Sequence, residues 1–326
     1  MNLLFCSVGR RGELVKDFKE SMGGQGKIVG ADNSKYAPAL YLTDVQYLVP
    51  RITDPDYINR LVDICKKEKI DAIATFIDPE IALLSANRDV FTNIGVQVLV
   101  PYENTAKLCF DKFEMYQFLR RHDIPTPLTF GDLPTFMEAM NRGEIRFPVF
   151  VKPRTGSGSV GARKIHDIRE LSAAMENDPG LIIQELMEGV DLDADVYVDT
   201  ISHQVVSAFS KKKISTTIGG ANKTISFKDP ELIRLIRRVV DVLELNGPND
   251  MDFFYQNGTY YLSEINPRFG GAYLHAYGAG VDFIKLIANN VKGIANEECL
   301  DGYDEGVVMM MYDSVVIRRQ DELAAE

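Results

Sequence analysis

The first hundred residues constrain the fold most, because short apolar runs alternate there with helix-length amphipathic segments. The pattern predicts strands at Leu3 to Val8, Lys27 to Ala31, Tyr47 to Pro50, Ala72 to Phe76 and Gln97 to Val100. Helices are expected at Gly12 to Ser21, Pro55 to Glu68 and Pro79 to Asn87. Parallel strands need a crossover, and a helix supplies it, so this alternation reads as a doubly wound parallel sheet. Ligands in such sheets sit beyond the strand C-termini, where Ser7, Gly9, Arg10, Arg11, Asp32 and Asp78 fall.

The pattern changes after Pro101. One helix is expected over Thr105 to Arg121, then a strand over Phe147 to Lys152, a glycine-rich stretch, and a strand over Val160 to Ile165. Asp191 to Thr200 and Val205 to Ser210 read as antiparallel partners turning at His203-Gln204. Glu231 to Leu243 reads as an amphipathic helix, and two strands flank Asn257-Gly258. Val307 to Ile317 is expected as a last strand and 318–326 as a polar tail.

With 36 basic against 47 acidic side chains, a net charge of −11 argues against a broad nucleic-acid or anionic-membrane surface. Four scattered cysteines form no Cys-x-x-Cys pair. The start carries no basic leader before an apolar run, and no stretch reaches the length of a membrane span. A cytoplasmic protein with reduced thiols is expected.

Three motifs carry chemistry. In Lys152-Pro-Arg-Thr-Gly-Ser-Gly-Ser-Val-Gly161, glycines let backbone N–H groups approach an anion while Ser157 and Ser159 add donors. A plain hairpin turn is the alternative; Lys152, ending an apolar strand just before the loop, favours phosphate binding. The second motif joins Asp252 to Glu264-Ile-Asn-Pro-Arg268. Residues two apart in a strand share a face roughly 6–7 Å apart, so Glu264 and Asn266 project together. Such hard oxygen donors suit Mg²⁺ held jointly with nucleotide phosphates. Strand parity then makes a demand. A two-residue Asn257-Gly258 turn puts Asp252 and Glu264 on opposite faces, so a shared metal requires a three-residue loop. Arg268 follows closely enough to neutralise a transferring phosphoryl group. The third motif, Gln184-Glu-Leu-Met-Glu-Gly-Val-Asp191, could offer backbone groups to an adenine edge and a carboxylate to ribose; a domain hinge explains it equally well.

These motifs, in this order, resemble the ATP-grasp superfamily, and Phe5 to Gly12 looks like the opening of carbamoyl-phosphate-synthetase large-chain-like members. The resemblance implies an α/β protein: an N-terminal doubly wound parallel domain (1–104), then a two-lobed α+β ATP-grasp domain. Its small lobe (105–182) carries the glycine loop and its large lobe (183–317) the metal site, followed by a tail (318–326). It implies ATP and Mg²⁺ (or Mn²⁺) as cofactors. Lys112, Lys152, Ser157, Gly158, Ser159 and Gly161 would face the phosphates. Glu185 and Met187 would meet adenine, and Asp191 the ribose. Lys211, or alternatively Lys213, would approach the γ-phosphate. Asp252, Glu264 and Asn266 would hold the metal, and Arg268 would stabilise the transition state.

The implied activity is ligation: a carboxylate is activated as an acyl phosphate and joined to an amine, with ADP and phosphate released. Small-molecule carboxylate and amine partners are expected, and a homodimer is compatible. Two rivals stay open, a carbamoyl-phosphate-synthetase-like enzyme acting on bicarbonate or carbamate, and a non-catalytic ATP-binding subunit. A dinucleotide-binding enzyme, suggested by Asp32, lacks its Gly-x-Gly-x-x-Gly spacing. Arg10, Arg11 and His275 are candidates for the acceptor pocket.

Overall fold

The computed structural model describes residues 1–156, 161–217 and 220–324. The N-terminal sheet holds β1 (Asn2–Cys6), β2 (Lys27–Asp32), β3 (Val45–Leu48), β4 (Ala72–Thr75) and β5 (Gln97–Val98) in the order β3-β2-β1-β4-β5. Every pairing is parallel. Alternation within β1 explains why helices cover both faces. Leu3 and Phe5 pack with Val15 and Phe18, whereas Leu4 and Cys6 pack with Leu61 and Ile64. At the C-terminal end of this sheet the Asp32 carboxylate accepts from the Gly9 and Ser34 N–H groups at 2.8 and 2.9 Å. It thereby ties the loop after β1 to the loop after β2.

The helix expected over Thr105 to Arg121 is two, Glu103–Phe110 and Lys112–Arg121. Asp111 breaks it. Its backbone is extended, and its carboxylate caps the second helix by accepting from the Phe113 and Glu114 N–H groups, both at 3.0 Å. Such a cap is worth about 1 kcal/mol. Arg154 Nε also binds Asp111 at 2.8 Å, which fixes Lys112 at the start of the helix.

A second sheet contains β6 (Thr129–Phe130), β7 (Val149–Pro153), β8 (Arg163–Ile165) and β9 (Leu181–Glu185), ordered β6-β9-β7-β8 and antiparallel throughout. Val149, Val151 and Ile183 pack under helices Leu133–Asn141 and Ile168–Asn177. Phe150, Lys152 and Gln184 therefore face the other way.

The third sheet is antiparallel and consists of β10 (Val190–Val198), β11 (Val205–Thr217), β12 (Gly220–Phe227), β13 (Gly247–Gln256), β14 (Thr259–Asn266) and β15 (Val308–Met310). Its order is β14-β13-β10-β11-β12-β15. Leu192, Ala194, Val196, Met251 and Phe253 pack against helix Pro230–Val242. Between the second and third sheets Gly189 has no room for a side chain, since a Cβ there would lie 2.2 Å from the Tyr255 carbonyl oxygen.

The last expected strand is shorter than Val307 to Ile317. Only Val308–Met310 pairs with β12; Tyr312, Val315 and Ile317 are 88%, 80% and 81% exposed. An apolar run becomes a strand only where a neighbour satisfies its backbone, and pairing here stops near Met311. Among the described residues no helix is long and apolar enough to cross a membrane.

His275 lies in helix Tyr273–Gly278, buried against the Phe209 ring and within 2.7 Å of Thr224 Oγ1. It does not border the large cavity described below. Burial, then the charge of Lys211, hold its pKa down to about 4. The unfolded chain therefore binds the extra proton first, and stability is lost as pH falls from about 6.5 towards 4. A His275→Gln variant is expected to lose on the order of 1–3 kcal/mol of that acid sensitivity. Urea midpoints at pH 7.5 and 4.5 measure it; an unchanged pH dependence would refute the assignment.

Candidate active site

A half-open cavity of about 1180 Å³ lies between the second and third sheets. That exceeds the roughly 300–1000 Å³ of ordinary small-molecule sites, so more than one ligand fits. Its floor follows from alternation in two strands. Along β10, Leu192, Ala194 and Val196 enter the core, which turns Asp191, Asp193 and Asp195 to the opposite face. On β13, Met251 and Phe253 do the same for Asp250 and Asp252. Register aligns them: Asp193 stands opposite Asp252, Asp195 opposite Asp250, Asp252 opposite Glu264 and Asp250 opposite Asn266.

The expected three-residue loop is not present, and the parity problem is solved differently. Asn257 and Gly258 form a two-residue turn with φ of 52° and 79°, pairing Gln256 with Thr259. A β-bulge then inserts Ser263, so the ladder passes from Phe253–Leu262 to Asp252–Glu264. One extra residue restores the shared face. Asn266 Nδ2 lies 3.4 Å from Asp252 Oδ2, which brings all three candidate donors to one spot.

Lysines stand on these carboxylates. Lys112 Nζ is 3.4 Å from Glu264 Oε1 and also donates to the Gly156 carbonyl. Lys213 Nζ bridges Asp252 and Asp191, the latter at 2.9 Å. Burial raises the pKa of Asp252 and Asp191 while Lys213 opposes the shift. Lys152 is buried on β7, where loss of solvent lowers its pKa against the pull of Glu264. The oxygen set fits a hard divalent cation, and the surrounding ammonium groups fit the anion it would carry.

Lys211 does not share this wall. It is fully buried, pairs with Asp195 and sits 3.5 Å from Asp193 Oδ1. Lys211 and Lys213 share a face of β11, but the ladder sets Lys211 opposite Asp193 and leaves Lys213 at the cavity. Of the two lysines expected near the γ-phosphate, Lys213 borders the cavity and Lys211 does not.

Arg268 joins the third sheet to the first. Its Nε is 3.0 Å from Asp78 Oδ1, at the start of helix Asp78–Ala86, and its Nη1 is 3.2 Å from Asp250 Oδ2. Burial would lower its pKa, but Asp78 and Asp250 outweigh that and raise it. Arg11 also borders the cavity, donating to the Gly270 carbonyl at 3.3 Å. At the far end lie Gln184, Glu185, Leu186 and Met187, with the Glu185 carboxylate accepting from the Leu128 N–H at 3.2 Å. Gly161 lines the cavity too; Ser157, Gly158 and Ser159 lie outside the described residues. Sequence reading passed over Asp193, Asp195 and Asp250, although acids at alternate positions of an apolar strand signal a polar face.

A family model described as ATP-grasp domain matches residues 109–272, and one described as PylC-like, N-terminal domain matches residues 3–99. The D-alanine–D-alanine ligase of Francisella tularensis subsp. novicida is 27% identical over 176 residues, 49% of this chain and 57% of that protein. The carbamoyl phosphate synthase large chain of Thermoplasma acidophilum is 22% identical over 253 residues, 71% of this chain and 24% of that one. The chain thus spans little more than half the length of that ligase. Among solved structures, the biotin carboxylase domain of Hydrogenobacter thermophilus 2-oxoglutarate carboxylase superposes with a TM-score of 0.74 at 18% identity, covering 94% of this chain and 73% of that one. N5-carboxyaminoimidazole synthetase from Staphylococcus aureus superposes with a TM-score of 0.72 at 16% identity, covering 91% and 78%. With residues 109–272 matched, half of its length, the chain belongs to the ATP-grasp family.

Proposed function

We propose that the protein is an ATP- and Mg²⁺-dependent ligase that joins a carboxylate to an amine and releases ADP and phosphate. The observation that carries this reading is the convergence of Asp252, Glu264 and Asn266 with Lys112, Lys152, Lys213 and Arg268 on one cavity. Asp252, Glu264 and Asn266 would hold the cation, which when bound neutralises phosphate charge. Lys112, Lys152 and Lys213 orient the phosphates, with Gly161 beside them on the same cavity. Glu185 and the Met187 backbone take the adenine end, and Asp191 the ribose.

A carboxylate oxygen attacks the γ-phosphorus in line, ADP leaves, and Arg268 balances charge on the phosphoryl oxygens. The amine nitrogen then attacks the acyl carbon, phosphate departs with the carbon–oxygen bond's electrons, and the amine's proton is released. The division into 1–104, 105–182 and 183–317, with 318–326 as a tail, belongs to this proposal. So do a cytoplasmic location, supported by four free cysteines, and a homodimer, supported by the dimeric Hydrogenobacter domain.

A phosphate-release screen over carboxylate and amine pairs with Mg-ATP tests the reading. ADP should form only when both substrates are present, including in CO₂-depleted buffer. Tight ATP binding without turnover on any pair would favour a non-catalytic subunit. Turnover that requires bicarbonate would favour the synthetase-like rival.

A further inference from the structure

Beyond the three candidate metal donors, the same sheet face carries a second group of acids. Carboxylate oxygens of Asp193, Asp195 and Asp250 lie within 4.8 Å of one another. Lys211 answers Asp195, and Arg268 answers Asp250 Oδ2 while shared with Asp78. Two oxygens are left over. Asp193 Oδ1 and Asp250 Oδ1 are buried without a hydrogen-bond partner, in residues only 5% and 8% exposed that both border the cavity. Lys211 stands 3.5 Å from Asp193 Oδ1 but makes no hydrogen bond to it.

The two acids stand within hydrogen-bond reach of each other, and such a pair of buried oxygens is costly unless a proton or another donor lies between them. Lys211 and Arg268 pair with Asp195 Oδ2 and Asp250 Oδ2, which leaves Asp193 Oδ1 and Asp250 Oδ1 as the acceptors turned to an arriving donor. Gly270 packs directly against this group, since a Cβ there would stand 2.8 Å from Asp250 Cγ and Oδ1 and 3.1 Å from Asp195 Oδ1, so a ligand reaches the acids from the cavity side, which Asp193 and Asp250 border. A divalent metal suits the place poorly. It would want about six oxygen ligands, and Lys211 and Arg268 already occupy Asp195 Oδ2 and Asp250 Oδ2. An ammonium needs only N–H donors matched to acceptors, and carboxylate oxygens are acceptors only.

We propose that Asp193 and Asp250, backed by Asp195, bind the ammonium group of the amine substrate and select a primary alkylammonium over anionic or neutral acceptors. The assignment deepens the ligase reading and rests on it for its place in the reaction; the binding itself can be measured apart from turnover. Asp250 shares Arg268 with the phosphoryl side of the cavity; the ammonium held here would pass one proton to the Asp193 carboxylate and, as the free amine, attack the neighbouring acyl carbon, its second proton leaving as the amide forms.

The test uses the full chain with Mg-ADP and four probes at equal ionic strength: methylammonium, dimethylammonium, trimethylammonium and tetramethylammonium chloride. The thermal midpoint should rise with the number of N–H donors, on the order of 2 °C for methylammonium near tenfold excess over its Kd, and not with tetramethylammonium. Asp193→Asn and Asp250→Asn should each erase the difference, with circular dichroism showing that the variants are folded. Equal shifts for all four cations, or discrimination that survives both substitutions, would overturn the proposal. So would a Mn²⁺ ion, seen by electron paramagnetic resonance, that methylammonium displaces and that Asp193→Asn removes. Discrimination without any response to Mg-ADP would uphold the ammonium site and sink the ligase reading; the reverse would sink the ammonium site alone.

Discussion

Replacing Glu264 by Gln is expected to abolish ADP release while the fold survives. Glu264 stands directly opposite Asp252, and the pair supplies both charged oxygens of the proposed cation site. Gln keeps the shape and one oxygen but removes a formal charge at the point where phosphate charge must be neutralised. Loss of one such electrostatic contribution costs about 10²–10³ in rate, and here the cation's own affinity falls with it. Stability should move little, because Glu264 has one partly exposed ion pair, 3.4 Å from Lys112. A coupled ADP assay across a Mg²⁺ titration, run beside a thermal melt, reads both effects. Normal turnover at ordinary Mg²⁺ would remove Glu264 from the site.

Arg268→Met should fail on two counts. The guanidinium is the one described cation that reaches both Asp78 and Asp250, so its removal strands two mostly buried carboxylates. Breaking a buried ion pair from one side costs about 3–5 kcal/mol, and two acids lose their partner at once. Activity should fall by about 10³-fold or more if Arg268 also neutralises phosphoryl charge. Arg268→Lys separates the effects: it keeps the charge but cannot fork to both acids, so it should recover part of the stability and little of the rate. Denaturant midpoints and ADP release on the three proteins supply the comparison. A Met variant as stable as its parent would show that the bridge to Asp78 carries no weight.

Much of the site was legible because its chemistry is written in short spacings. Glu264 and Asn266 share a face through the two-residue period of a strand, and Lys152 closes an apolar run before a glycine loop. The misses have physical causes. Asp111 ends one helix and caps the next, yet apolar periodicity runs through both. Lys211 and Lys213 are equivalent by parity, and the register with Asp193 separates them.

Local sequence determined most of the strands and helices and the identity of most groups at the cavity, because alternation and helical periodicity act over a few residues. Tertiary structure alone decided the bulge at Ser263, the bridge from Arg268 to Asp78 across 190 positions of chain, and the two carboxylate oxygens left without donors. Each depends on which distant segments are pressed together. No window of sequence records how buried charges are finally shared among their neighbours.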